Sequence, residues 1–162
     1  MKRWIILLCL LTFIPVFLLS ARPLNDAEKS LTGFWEGESM GNFLKEFGFE
    51  LPAQFFFYRS GKYLWEFTLD GKKKGSKGTW EVEESLNGIH KITFHQEEVK
   101  DPASAKRFAY VTEINGKKAE MELVGIFEIK DELLSIIFYS RDFDERPEKL
   151  DKNKCQIYRL KK

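Results

Sequence analysis

The chain carries few residues able to do acid–base, nucleophilic or metal chemistry, and their spacing keeps most of them apart. His90 and His95 sit five positions apart in an alternating run, and an odd separation along a strand sends two side chains to opposite faces. They cannot share one metal ion or form one acid–base pair. No Gly-x-Ser-x-Gly elbow and no phosphate-cradling glycine loop occurs. Asp142, Asp144 and Glu145 have the alternate spacing of calcium-loop carboxylates, but the other ligands and the glycine of such a loop are missing. Arg141 and Arg146, interleaved with them, would repel a cation. The sequence thus predicts no catalytic residue, no cofactor, no metal site and no enzyme activity.

What it offers instead is aromatic surface. Phe55, Phe56, Phe57, Tyr58, Tyr63, Trp65, Phe67, Trp80 and Phe94 all fall within residues 55–94. Two readings stand. The rings build a core, as aromatic side chains on strands usually do. Alternatively, Tyr63, Trp65, Phe67 and Trp80 line a cavity for a small apolar ligand such as a fatty acyl chain, closed at its mouth by Phe43, Leu44 and Phe47. Three consecutive phenylalanines, Phe55, Phe56 and Phe57, must also place a ring on each face of one strand. Unless the lid covers it, at least one ring then stands outside the barrel interior, a candidate contact patch for a protein partner.

Positioning these rings requires strands. From residue 31 onward the chain is a succession of short apolar/polar alternations separated by turn residues, the pattern of an antiparallel meander. Strands are expected at 33–39, 54–59, 62–69, 78–83, 89–95, 107–114, 117–129, 132–140 and 155–160, with a loop at 101–106. Ser60-Gly61, Asn87-Gly88 and Asn115-Gly116 supply hairpin turns. Eight or nine such strands close most simply into an up-and-down barrel, because closure removes exposed edges. One segment, 40–52, reads differently. Asn42 can cap a helical turn holding Phe43, Leu44 and Phe47, ended by Gly48, and this piece is expected as a lid across one barrel end.

The first residues give an address. Lys2 and Arg3 precede an apolar tract from Trp4 to Leu19, shorter than the ~20 residues of a bilayer span and broken by Pro15. Residues 1–21 are read as a signal peptide, with an uncleaved N-terminal anchor as the alternative. Cys9 follows Leu7 and Leu8 where a lipoprotein signal needs small residues, so acylation is not expected. Processing leaves residues 22–30 as a polar lead and 31–162 as one barrel domain that does not span the membrane. It also turns the formal net charge of +1 into about −1, which gives no global electrostatic case for nucleic acid or an anionic membrane. Lys72, Lys73, Lys74 and Lys77 nonetheless cluster on a hairpin tip, either as edge protection or for an anionic partner. Only Cys155 remains, so no internal disulfide can form. A disulfide-free exported domain suits a bacterial periplasm or the extracellular space of a bacterium.

A resemblance sharpens the fold. Leu31-Thr32-Gly33-Phe34-Trp35 resembles the Gly-x-Trp opening of lipocalins. Asp70-Gly71 and Gly78-Thr79-Trp80 are similar to the middle strands of an uncharacterised bacterial lipocalin-like family, a calycin-type β-barrel. The runs Gly125-Ile126-Phe127-Glu128-Ile129, Leu134-Ser135-Ile136 and Glu145-Arg146-Pro147 resemble that family's closing motif. The likeness covers most of residues 31–160 and is specific over 125–147. It implies the barrel and structural roles for Gly33 and Trp35, and it makes Arg159 the expected basic cover over the Trp35 indole. Function is left between a carrier of a small apolar ligand and a protein-interaction module with a filled barrel, such as an inhibitor or envelope assembly factor.

Overall fold

The computed structural model describes residues 23–85, 87–100, 109–142 and 145–162. The expected signal peptide, the 101–106 loop, Arg107 and Asp144 lie outside the described residues. Eight antiparallel strands close into a barrel: β1 (Gly33–Met40), β2 (Phe49–Phe57), β3 (Lys62–Leu69), β4 (Lys72–Glu83), β5 (His90–Lys100), β9 (Met121–Lys130), β10 (Leu133–Ser140) and β11 (Gln156–Lys161). Sequential neighbours pair, β5 pairs with both β4 and β9, and β11 returns to β1. Short β6 (Tyr110–Val111) extends the sheet at the end of β5, while β7 (Glu113–Ile114) and β8 (Lys117–Lys118) form a separate ribbon.

Turn chemistry sets the meander. Asp70-Gly71 and Asn115-Gly116 carry positive φ at both positions, the requirement of a two-residue hairpin whose twist matches its strands. The alternation then sorts the side chains. Trp35, Phe55, Trp65 and Ser76 are register partners across β1 to β4 and point inward. Trp80, Phe94 and Leu123 do the same across β4, β5 and β9. Gly33 opens β1 at φ 144°, and a Cβ there would meet Leu160 Cδ1 at 3.0 Å. Gly125 lies so close under β10 that a Cβ would fall 2.3 Å from the Ile137 carbonyl oxygen.

Several boundaries differ from expectation. The polar lead contains α1 (Asp26–Leu31), started by a capping box in which the Asn25 side chain accepts from Glu28 N–H and the Glu28 carboxylate accepts from Asn25 N–H. In the lid segment, α2 spans Asn42–Glu46, but Gly41 is its N-cap without a side-chain bond, and Asn42 is its first helical residue. The second half of that segment is strand, since β2 begins at Phe49. β4 runs on through the lysines to Lys72, because hairpin pairing with β3 outweighs the low strand preference of Lys and Gly. The single strand expected over 107–114 is broken among the described residues into β6 and β7, each two residues long.

Candidate functional site: bore, ends and outer wall

The four residues expected to line a ligand cavity do share the barrel interior, and their rings lie against one another and their neighbours. Phe55 is central: its ring centroid is 4.9 Å from Phe57, 5.5 Å from Trp65, 5.7 Å from Phe94 and 5.3 Å from Tyr158. Trp65 stacks on Phe67 at 4.0 Å and meets Phe138 edge-on at 4.9 Å. Tyr63 meets Phe94 edge-on at 4.9 Å, and Trp80 meets Phe57 the same way at 5.3 Å. Offset and edge-to-face contacts of this kind add ~0.5–1.5 kcal/mol each beyond area burial. Only Phe67 among the four is partly exposed, at the α2 end.

The polar atoms of this interior are satisfied within it. Trp65 Nε1 donates to Tyr158 Oη at 3.1 Å, and Tyr158 donates on to Gln156 Oε1. Tyr63 Oη and Ser76 Oγ are 2.6 Å apart, Ser76 donates to Gln96, and the Gln96 amide donates to the Ala119 carbonyl. Trp80 Nε1 donates to the Lys62 carbonyl. Burial raises the hydroxyl pKa of Tyr63 and of Tyr158 above the ordinary phenol value. Both stay neutral donors. A bore built this way has specific rings in specific places and bonded heads on each polar one.

Its two ends differ. At the end where β1 starts, α1 closes the barrel: Leu31 is fully buried, and Trp35 Nε1 donates 2.7 Å to the Leu31 carbonyl. Asn25 Nδ2 donates to the Val82 carbonyl, and Glu28 accepts from Val82 N–H. At the other end α2 buries no residue. Leu44 is half-buried, while Phe43 and Phe47 are exposed with their ring centroids 4.7 Å apart. Beside them an open groove of about 460 Å³ runs along Glu38, Ser39, Met40, Lys45, Phe49, Glu50 and Leu51. It lies where β1 and β2, paired only from Gly33 to Glu36, splay apart.

Arg159 does not cover Trp35. The register puts Arg159 opposite Glu36 and Leu160 opposite Trp35, so the guanidinium projects from the outer face while the indole points in. Its Nη2 donates 3.0 Å to Glu38 Oε1. That ion pair holds the Glu38 carboxyl below its ordinary range. The histidines also part as their spacing requires: the His90 ring lies tilted 5.2 Å from Phe127, and His95 faces Glu81 on the outside.

No family model, curated protein or solved structure matches the chain. The closed antiparallel barrel of eight strands is consistent with a calycin-like architecture, and a shared architecture does not carry a function. The outer wall carries a second set of aromatic side chains.

There Phe34, Phe56 and Leu64 form one register row across β1, β2 and β3, ending on Lys161 and Lys77. Phe34 and Phe56 stack at 4.4 Å, and exposed Tyr58 continues the line 6.4 Å from Phe56. Lys62, Leu64, Lys77, Glu97 and Glu98 join Tyr58 along an adjoining groove of about 410 Å³. The run of three phenylalanines had pointed to such a patch; Phe34 as its partner becomes visible only with the β1–β2 register.

Two outer features have contacts that the sequence does not indicate, although Arg146 belongs to the Glu145-Arg146-Pro147 run. Arg146 reaches from the β10–β11 connection to the Ile92 and Gly125 carbonyls at 2.7 and 2.8 Å and to Thr93 Oγ1 at 2.9 Å, tying that connection to the wall. Nearly buried Lys100 pairs with Glu66 at 3.1 Å, Tyr110 Oη donates to the same oxygen, and Lys77 sits 3.8 Å above the Tyr110 ring. Cys155 is buried, and burial pushes its thiol up to about 11, which leaves it unreactive at neutral pH.

Proposed function

We propose that this is an exported bacterial calycin-like binding module that works through its surface, with the barrel interior serving as its core, and that a protein partner meets the outer face of β1, β2 and β3. No catalytic step or cofactor belongs to this reading. The observation that carries it is the division of the aromatic residues: one set packs the bore ring on ring around Phe55, and a second set, Phe34, Phe56 and Tyr58, stands in a line outside. Aromatic rings with a mixed-charge rim, here Lys62, Lys77, Glu97 and Glu98, have the composition of a protein-binding patch. A carrier of a small apolar ligand is favoured, among the described residues, by the groove beside Met40, Phe49 and Leu51, whose volume falls within the ~300–1,000 Å³ of ligand sites.

A photoreactive residue placed at Tyr58, in cells of the source, tests the partner. One discrete protein adduct is expected, and Phe34→Ser together with Phe56→Ser should abolish it while the barrel stays folded. No adduct at Tyr58, or the same adduct from a photoreactive residue at Lys130, would contradict the proposal. Export is read separately, by N-terminal sequencing of envelope-purified protein, which should begin near Arg22. Intact residues 1–19 in the membrane fraction would instead assign an anchor.

A further inference from the structure

We propose that the barrel end carrying α2 docks on an anionic phospholipid bilayer, with Phe43, Phe47 and Leu51 entering the interface and the surrounding lysines meeting lipid phosphates. Among the described residues four large apolar side chains are exposed, and Phe43 (37%), Phe47 (61%) and Leu51 (43%) are three of them. They lie in one short stretch. Spaced four apart on one helical turn, Phe43 and Phe47 touch and form a single knob.

The backbone holds that knob outward from behind. Gly41 N–H donates to the Cys155 carbonyl at 2.8 Å, and Phe43 N–H donates to the Asn153 carbonyl at 3.0 Å. On the other side Asp70 N–H donates to the Gly48 carbonyl, and Gly71 N–H donates to Glu50 Oε1. These bonds bring two lysine-bearing turns against the knob. Lys45 comes from α2 itself, Lys72, Lys73 and Lys74 from the β3–β4 hairpin, and Lys152 and Lys154 from the turn before β11. The Lys154 ammonium lies 5.3 Å from the Phe43 ring centroid.

Charge selects the occupant. Over 41–51, 70–74 and 151–154 those six lysines face four carboxylates, Glu46, Glu50, Asp70 and Asp151, and Glu50 and Asp151 accept from backbone N–H groups. This end is positive although the processed chain as a whole is slightly negative. A protruding apolar knob ringed by long cationic side chains fits a deformable surface with an apolar interior and anionic rim, where lysine stems lie along the apolar layer and their heads reach phosphate. The groove along Met40, Phe49 and Leu51 extends the apolar contact from the knob toward the gap between β1 and β2. This surface is separate from the β1–β3 outer face, so the two proposals fail independently.

Residues 22–162 hold every described strand and helix together with the core, so the test can omit the N-terminal apolar tract. That protein is sedimented with vesicles of phosphatidylcholine alone and with vesicles in which a quarter of the lipid is phosphatidylglycerol. Binding is expected only to the anionic vesicles, with loss at high salt. Replacing Lys45, Lys72 and Lys152, all exposed, by Gln should weaken partitioning about fivefold per lysine. Phe47→Ser should weaken it about tenfold from lost apolar burial, with an unchanged melting temperature in both variants. Wild-type protein left in the supernatant, or equal sedimentation of wild type and both variants, overturns the proposal. So does a crosslinker at Phe47 that captures one protein while vesicles do not bind, because the knob then belongs to a protein partner.

Discussion

The two short helices stand at opposite ends of the barrel and do opposite things with similar length. Six-residue α1 has a reciprocal capping box and buries Ala27, Glu28 and Leu31. Five-residue α2 has no side-chain cap and buries nothing. Helices this short do not persist through propensity, so each is held by what it touches: α1 by packing under Trp35 and bonding to β4, α2 by backbone bonds to neighbouring turns. One end is built to stay shut. The other presents apolar side chains that the fold had no need to expose.

Equivalent truncations at the two ends should therefore differ widely. Leu31→Ala removes a fully buried side chain and should cost about 2–5 kcal/mol in urea unfolding. Phe47→Ala removes a larger one and should cost no more than about 0.5 kcal/mol. Similar losses at both ends would break the comparison. Next in size is the wall clamp: Arg146→Ala leaves the Ile92 and Gly125 carbonyls without their guanidinium partner and should cost roughly 1–3 kcal/mol. Amide exchange should accelerate in the β10–β11 connection and leave α1 unaffected.

The cap comes third. Asn25→Ala should cost about 1 kcal/mol and speed exchange through α1 alone, sharpening the claim that side-chain capping separates the helices. The smallest effect is expected at Arg159. Arg159→Ala breaks an exposed ion pair with Glu38 and should lower the melting temperature at neutral pH only slightly, with the Trp35 emission as in the parent. Because Arg159 lowers the Glu38 pKa, the pair's contribution is present above the ordinary carboxylate range and disappears on acidification through the lowered value. Parent and variant should therefore converge at low pH. A shift in Trp35 emission would restore the guanidinium to the indole.

The barrel could be read from strict alternation at Tyr63, Trp65 and Phe67 and from turn pairs such as Asn115-Gly116, since a period of two and positive φ are local properties. Helix α1 could have been read as well, because Asn25 and Glu28 carry the capping spacing, but six residues give too little periodicity to draw attention. The misplacement of Arg159 arose where a family pattern stood in for register: a neighbouring position on β11 flips the side chain to the other face. Whether the ring-rich face lines a cavity or fills one was not legible. That depends on how far eight strands curve and on which rings meet across the axis, and no local pattern encodes either.

On this reading the bore is core and the surface does the work. Titration of the purified protein with a panel of fatty acyl and aromatic probes, followed by tryptophan fluorescence, tests it most directly, because Trp35, Trp65 and Trp80 all report from the interior. No saturable change in their emission is expected at any probe concentration that leaves the fold intact. Saturable quenching that weakens on Trp80→Ala, in a variant that remains folded, would contradict it and return the barrel to the carriers.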